Sequence, residues 1–170
     1  TSPTLRHFSE KPDIDRFIPR PVAIPAQRQP GMDWLNGPLV WAIDDWHQPL
    51  YFFPRDCPRT LVWPTQTTST QDRARHWPDE ARRMIAYVEQ DWLDRLHGAT
   101  IYCYDLPDEP FEPLDDAGMW VSRETVVPTH ITALVDLPPC LAELGLLPQP
   151  VPDFRPFRSL WDTTLHVSGI

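Results

Sequence analysis

Proline sets the limits on what this chain can fold into. Twenty-two prolines are distributed over 170 residues that hold only 6 glycines. A proline fixes its own φ, lacks a backbone N–H and pushes its predecessor out of the helical region. The prolines are not gathered into one linker. They alternate with apolar runs, as stiff loops and element boundaries do. With 41% hydrophobic residues the chain is expected to be globular, and its length favours a single domain over residues 1–170.

Charge narrows the function classes. The formal net charge is −9. General nucleic-acid or membrane-surface binding would need clustered positive charge, so neither is expected. Lys11 is the only lysine, and the remaining cationic side chains are arginines. Arginine keeps its charge and grips phosphate or carboxylate with two parallel hydrogen bonds. The three cysteines, Cys57, Cys103 and Cys140, have no CxxC spacing. They read as reduced, mostly buried thiols of a cytoplasmic protein, not as a disulfide framework or a zinc site. No apolar run is long enough to cross a membrane, and "TSPTLRHFSE" has no signal-peptide pattern.

The element pattern reads as α+β. Strands are expected at Thr4–Glu10, Pro38–Ile43, Arg59–Pro64 and Thr100–Leu106, with two more in "MWVSRE" and "HITALVDL". Asp44 or Asp45 is a cap for a short helix through His47 to Phe53. The spacing of Ala81, Ile85, Val88, Trp92 and Leu96 predicts a helix over Pro78–Gly98. Pro138 opens a short helix that Gly145 closes, and a last helix is expected from Phe157 to about Leu165. The tracts Thr65–Arg73 and Pro107–Gly118 read as loops. This mixed order of about six strands and four helices fits α+β better than a doubly wound sheet.

Few residues stand out chemically. Leu5, His7 and Ser9 fall on one side of the first strand by alternation. A histidine and a serine at a strand end can hydrogen-bond a ribose or an amide; a histidine satisfied in a loop is the alternative. Trp41 is either core or a stacking platform for a flat ring. "PRDCPR", Pro54 to Arg59, holds Arg55 and Arg59 between prolines with Asp56 beside them. It reads as a rigid anion-binding corner, suited to a pyrophosphate, or as a structural salt-bridge knot. Cys57 has no histidine close in sequence and is not expected to be a nucleophile. Glu124 follows "WVSR" on the fifth strand and either polarises a ribose hydroxyl or acts as a base, or is a solvated strand residue. Asp105, Asp108, Glu109, Glu112, Asp115 and Asp116 match no calcium loop and read as a solvated acidic stretch. GxGxxG, P-loop, HExxH and GxSxG patterns do not occur.

Three stretches, "LRHFSEKPDIDRFIPRP", "VWAIDDWHQPLYFFPRDCPR" and "WVSRETVVPTHITALVDL", together resemble an uncharacterised bacterial family of small cytosolic proteins. At greater distance the same order resembles the ADP-ribosyltransferase superfamily. There a first strand carries a histidine and a small or hydroxyl residue, which falls here on His7 and Ser9. A second strand of the form aromatic–apolar–small–acidic falls on Trp41, where tyrosine is usual. A later strand that often carries glutamate falls near Met119–Ser122, with Met119 in the glutamate position. The resemblance implies a split, mostly antiparallel sheet with flanking helices and a cleft that binds NAD, as substrate, in a bent form. It implies catalytic roles for His7, Trp41 and Glu124, with a carboxylate of the Asp115–Asp116 loop as the alternative to Glu124. It implies NAD contacts from His7, Ser9, Trp41, Tyr51, Arg55 and Arg59, and no metal. The aromatic strand and the arginine corner are expected to form two walls of one nucleotide-sized cleft. The expected function is NAD-binding ADP-ribosyl transfer or cleavage of the nicotinamide–ribose bond, with the acceptor open. The alternatives are a nucleotide-binding module without turnover, and a structural or partner-binding protein.

Overall fold

The computed structural model describes residues 3–77 and 83–169. Among these residues ten strands run in chain order: β1 (Leu5–Ser9), β2 (Val40–Ile43), β3 (Arg59–Trp63), β4 (Ile85–Glu89), β5 (Thr100–Leu106), β6 (Phe111–Pro113), β7 (Met119–Ser122), β8 (His130–Val135), β9 (Gln149–Val151) and β10 (His166–Gly169). Three α-helices accompany them, α1 (Thr70–His76), α2 (Leu93–Gly98) and α3 (Leu137–Glu143). Short 3-10 helices cover Asp33–Asn36, Gln48–Tyr51, Gln90–Trp92 and Arg155–Asp162. The fold class is α+β with two mostly antiparallel sheets. Contacts divide the chain into two compact units, Thr1–Gln48 with Ile101–Ala133, and Pro49–Thr100 with Leu134–Ile170. No helix among the described residues is long and apolar enough to cross a membrane.

The first unit is organised by a six-stranded sheet in the order β6-β7-β2-β1-β5-β8. Register in β1 is fixed by β5, with Leu5 opposite Leu106, His7 opposite Tyr104 and Ser9 opposite Tyr102. Leu5 is fully buried and packs with Phe17, Val40, Ala42, Tyr104, Leu106 and Val126 on one face of the sheet. The Tyr104 hydroxyl donates to the Lys11 carbonyl and accepts from the Ile14 N–H at 3.2 Å. That bond pins the proline-bounded segment after β1. Phe17 then pairs with Val126 by backbone bonds of 2.8 and 2.9 Å and lays its ring on the core. Trp41 belongs to a second cluster with Leu35, Leu39 and Val121.

The second unit holds a four-stranded sheet, β10-β3-β4-β9. β3 is buried at every position, as a central strand with two paired neighbours should be. Val62, Trp77, Leu165 and Val167 form its apolar cluster.

Four sequence expectations are corrected here. The helix expected over Pro78–Gly98 is a strand, a 3-10 turn and a short helix. In β4 the buried residues are Ala86 and Val88, a period of two. Ile85, Val88, Trp92 and Leu96 satisfy helical spacing as well. Pairing decides for the strand, with β4 antiparallel to β3 and parallel to β9. Only from Leu93 does the helical reading hold, with Leu96 fully buried in α2. The first part of that expectation, Pro78–Arg82 with Ala81, lies outside the described residues.

The expected loop Thr65–Arg73 contains the start of α1. Ser69 is its cap and accepts from the Asp72 N–H at 3.1 Å, an S-x-x-D signal overshadowed by the polar composition. The expected loop Pro107–Gly118 contains β6, whose Glu112 lies opposite Val121. The final helix is a 3-10 helix, and it leads into β10, which pairs residue by residue with β3.

Candidate functional site

The two β1 residues singled out by sequence share a face of the first unit's sheet. The His7 Nδ1 lies 2.9 Å from the Trp41 carbonyl oxygen. A carbonyl only accepts, so Nδ1 carries the proton and Nε2 the lone pair in the neutral ring. The ring also rests against Phe17, with centroids 4.7 Å apart. The Ser9 Oγ accepts from the Lys11 N–H at 3.1 Å, which leaves its own O–H as a donor. A fixed acceptor and a hydroxyl donor, two residues apart on a strand, suit a ligand that carries hydroxyls.

Trp41 does not share that face. Its strand neighbours Val40 and Ala42 pack with Leu5, whereas Trp41 packs with Leu35, Leu39 and Val121. The structure joins His7 to the Trp41 backbone and sends the two side chains to opposite sides of the sheet. Glu124 lies past the end of β7 and is exposed, with its N–H and carbonyl both bonded to the Ser122 hydroxyl at 3.0 Å.

A charged cluster missed by the sequence reading lies at the β1–β5 pairing. Arg6 donates from Nε to Asp105 at 3.0 Å and from Nη1 to Asp45 at 3.0 Å and Gln48 at 2.7 Å. Burial works against its charge, but the bond to Asp105 and the nearby acidic groups hold the guanidinium above its usual pKa. Neighbouring Cys103 has its thiol pushed up to about 12 by burial, so it is an inert core group.

Beside this cluster, the chain leaving β2 builds a carboxylate–imidazole pair. The Asp44 carboxylate accepts from the His47 N–H at 2.8 Å and faces His47 Nδ1 at 2.8 and 3.0 Å. Gly118 of the β6–β7 hairpin closes over the pair. A Cβ at Gly118 would sit 2.4 Å from His47 Nδ1 and 2.6 Å from Asp44 Oδ1. Gly118 has φ +74, and Asp115 and Ala117 before it have φ 55 and 49. Left-handed backbone at a non-glycine residue costs roughly 1–2 kcal/mol, so this turn is held by its surroundings. The sequence signal was a D-x-x-H spacing, which is too common to mark a site without the glycine.

"PRDCPR" lies in the second unit and separates its two arginines. Pro54–Cys57 is a turn closed by the Cys57 N–H on the Pro54 carbonyl at 3.0 Å, with Arg55 and Asp56 exposed at its tip. Arg59 is 3% exposed. Its Nε donates to Leu50 O at 2.9 Å, and Nη1 to Cys57 O at 3.0 Å and Pro54 O at 3.3 Å. Its guanidinium lies 5.5 Å from the Phe53 ring centre. Burial lowers its pKa, and the same burial pushes the Cys57 thiol up to about 11. The knot is therefore arginine on backbone carbonyls. Tyr51, half-buried, ends the 3-10 helix that leads into it. Among the described residues no three His, Cys, Asp or Glu side chains are grouped to hold a metal ion.

Comparison with curated proteins and with solved structures gives no match. A family model described as a family of unknown function, DUF6886, matches residues 6–170. The match takes in both sheets, the Asp44–His47 pair and the Arg59 knot, and on that span the chain belongs to the DUF6886 family of unknown function.

Proposed function

We propose that this chain binds a nucleotide through the His7–Ser9 face of β1, with NAD as substrate and transfer of ADP-ribose or cleavage of the nicotinamide–ribose bond as the reaction. The observation that carries the reading is the fixed His7 ring. Its Nδ1 is held by the Trp41 carbonyl at 2.9 Å, which fixes the tautomer of the neutral ring, and the Ser9 hydroxyl lies on the same face as a donor. The resemblance of "LRHFSE" and "VWAIDD" to the ADP-ribosyltransferase superfamily names the nucleotide. Trp41 serves as the carbonyl that orients His7, in place of the stacking role the resemblance implies.

A second reading is binding without turnover. The position of Glu124 favours it. Ser122 lies opposite Val40, and Arg6 opposite Ile43. Glu124 lies in the bend after Ser122, beyond the last paired residue of β7, whereas His7 is level with Ala42 inside the sheet. Thermal shift and calorimetry with NAD, ADP-ribose and ATP, followed by chromatography of the incubated NAD, separate the readings. NAD binding with nicotinamide release supports the first; binding with NAD intact supports the second. His7→Ala should weaken NAD binding about 3- to 10-fold, the weight of one hydrogen bond. An unchanged affinity would remove His7 from the site.

A further inference from the structure

The six-stranded sheet ends at β8, and nothing among the described residues pairs with the outer edge of that strand. Such an edge offers a row of backbone N–H and C=O groups, a template for another strand. Folded proteins guard their edges with short strands, proline or charge. The other edge strands follow this rule. β6 and β9 have three residues and a proline each, and β10 has four residues and ends in glycine. β8 does not. It has six residues, "HITALV", with no proline, glycine, Asp, Glu, Lys or Arg. Five of the six are exposed, on both faces of the strand.

We infer that β8 pairs antiparallel with β8 of a second copy of this chain, about a two-fold axis at Ala133. The occupant follows from the strand's own chemistry. With a net charge of −9, two copies repel over most of their surface. From Thr125 to Val135 the chain has no Asp, Glu, Lys or Arg, so along this edge no like charges are brought face to face. Alternation puts Ile131, Ala133 and Val135 on one face of β8. Ile131 is 41% exposed and Val135 65%. With Ala133 opposite its own copy, Ile131 of each chain lies opposite Val135 of the other, and the two apolar triplets merge on one face. The same register sets Thr132 opposite Leu134 and brings His130 level with Asp136 of the other copy. The Asp136 side chain, beside His97, is 46% exposed, so a carboxylate meets an imidazole at both ends of the paired strands. A register shifted by one residue puts Ile131 opposite Leu134 and Val135 opposite His130, and both matches are lost. The contact is isologous. It joins two six-stranded sheets edge to edge and closes after two copies.

One strand edge is a small interface, so association belongs at the weak end of specific contacts. Sedimentation velocity of the full chain from micromolar to millimolar concentration reads it. The mass should rise from 19.7 kDa toward twice that value. Ala133→Lys places two ammonium groups face to face at the axis and should weaken self-association at least about tenfold. Ala133→Glu should do the same with two carboxylates. An equimolar mixture of the two variants should associate again, because the facing side chains then carry opposite charge. Ile24→Lys, at an 85% exposed apolar residue outside every strand, is the charge control and should leave association unchanged.

A monomer at every concentration overturns the inference and leaves the edge to an extended segment of another protein. A dimer that Ala133→Lys leaves intact, or that Ile24→Lys weakens equally, overturns it in favour of a different surface. Loss in both Ala133 variants without recovery in their mixture overturns the two-fold pairing at Ala133. If Ala133→Lys is unfolded by circular dichroism, Val135→Lys, at a residue 65% exposed and opposite Ile131 in the pair, is read in its place and should also weaken association; an unchanged dimer there overturns the inference.

Discussion

Replacing Arg59 with alanine removes a buried guanidinium that ties together residues 50–57. Three carbonyls lose a charged donor: Leu50, Pro54 and Cys57. Pro54 keeps the Cys57 N–H at 3.0 Å, so the loss falls chiefly on Leu50 and Cys57. A buried acceptor deprived of its donor costs about 1–3 kcal/mol, and two of them about 4 kcal/mol. Relief from burying the charge offsets part of this, consistent with the downward pKa shift of Arg59. A net loss of about 3 kcal/mol remains. For a chain of this length each kcal/mol moves the melting temperature by about 2–4 °C, so Arg59→Ala should melt roughly 6–12 °C below the unaltered protein. Arg55→Ala, at the exposed tip of the same turn, should stay within about 0.5 kcal/mol. Arg59→Lys should recover less than half of the loss, because an ammonium does not reproduce the fork. Thermal unfolding followed by circular dichroism measures all three. Arg59→Ala melting within about 2 °C of the unaltered protein would refute the carbonyl-knot account; so would Arg55→Ala melting as low as Arg59→Ala.

Three further predictions follow from other parts of the structure. Gly118→Ala should destabilise the first unit by about 2–4 kcal/mol in urea unfolding, through a Cβ at 2.4 Å from His47 and a left-handed φ; Gly31→Ala, with φ +81 but nothing within 4 Å, should cost only about 1 kcal/mol. An aromatic disulfide reagent at pH 8 should label Cys140 faster than Cys57 and Cys103, which are buried with thiols raised to about 11 and 12, and should label all three after unfolding. Asp72 accepts from the Thr164 hydroxyl at 2.6 Å and its N–H at 2.8 Å, and these bonds lower its pKa from 3.8. A carboxyl depressed on folding stabilises above its unfolded pKa and loses that contribution as pH falls through its folded pKa. The stability gap between the unaltered protein and Asp72→Asn should therefore be present at neutral pH and shrink below about 3.8 in acid unfolding series.

The short strands were legible because each is an apolar run closed by proline or polar residues. β1, β2, β3 and β5 all lie within the expected stretches, and Gly145 after α3 has the φ of +78 that a helix exit favours. The stretch around β4 was not legible. Ile85, Val88, Trp92 and Leu96 meet a helical period, while Ala86 and Val88 meet a strand period. Local spacing cannot rank the two; pairing with β3 and β9 does. β10 was lost for the same reason, since its partner β3 lies about a hundred residues earlier in the chain.

The candidate site divides in the same way. Alternation along a single strand was enough to put His7 and Ser9 on one face, and residue type was enough to mark both arginines of "PRDCPR". The sequence alone also determined the α+β class, because proline spacing and apolar runs act over a few residues. Which arginine is buried, which face Trp41 takes and what closes over Asp44 and His47 were decided only in three dimensions. Arg59 is set apart from Arg55 by carbonyls up to nine residues away in the chain. The Asp44–His47 pair is closed in by Gly118, far along the sequence, whose backbone leaves no room there for a side chain. Burial, register and close approach are properties of pairs of distant segments, and a pattern read along one segment does not contain them.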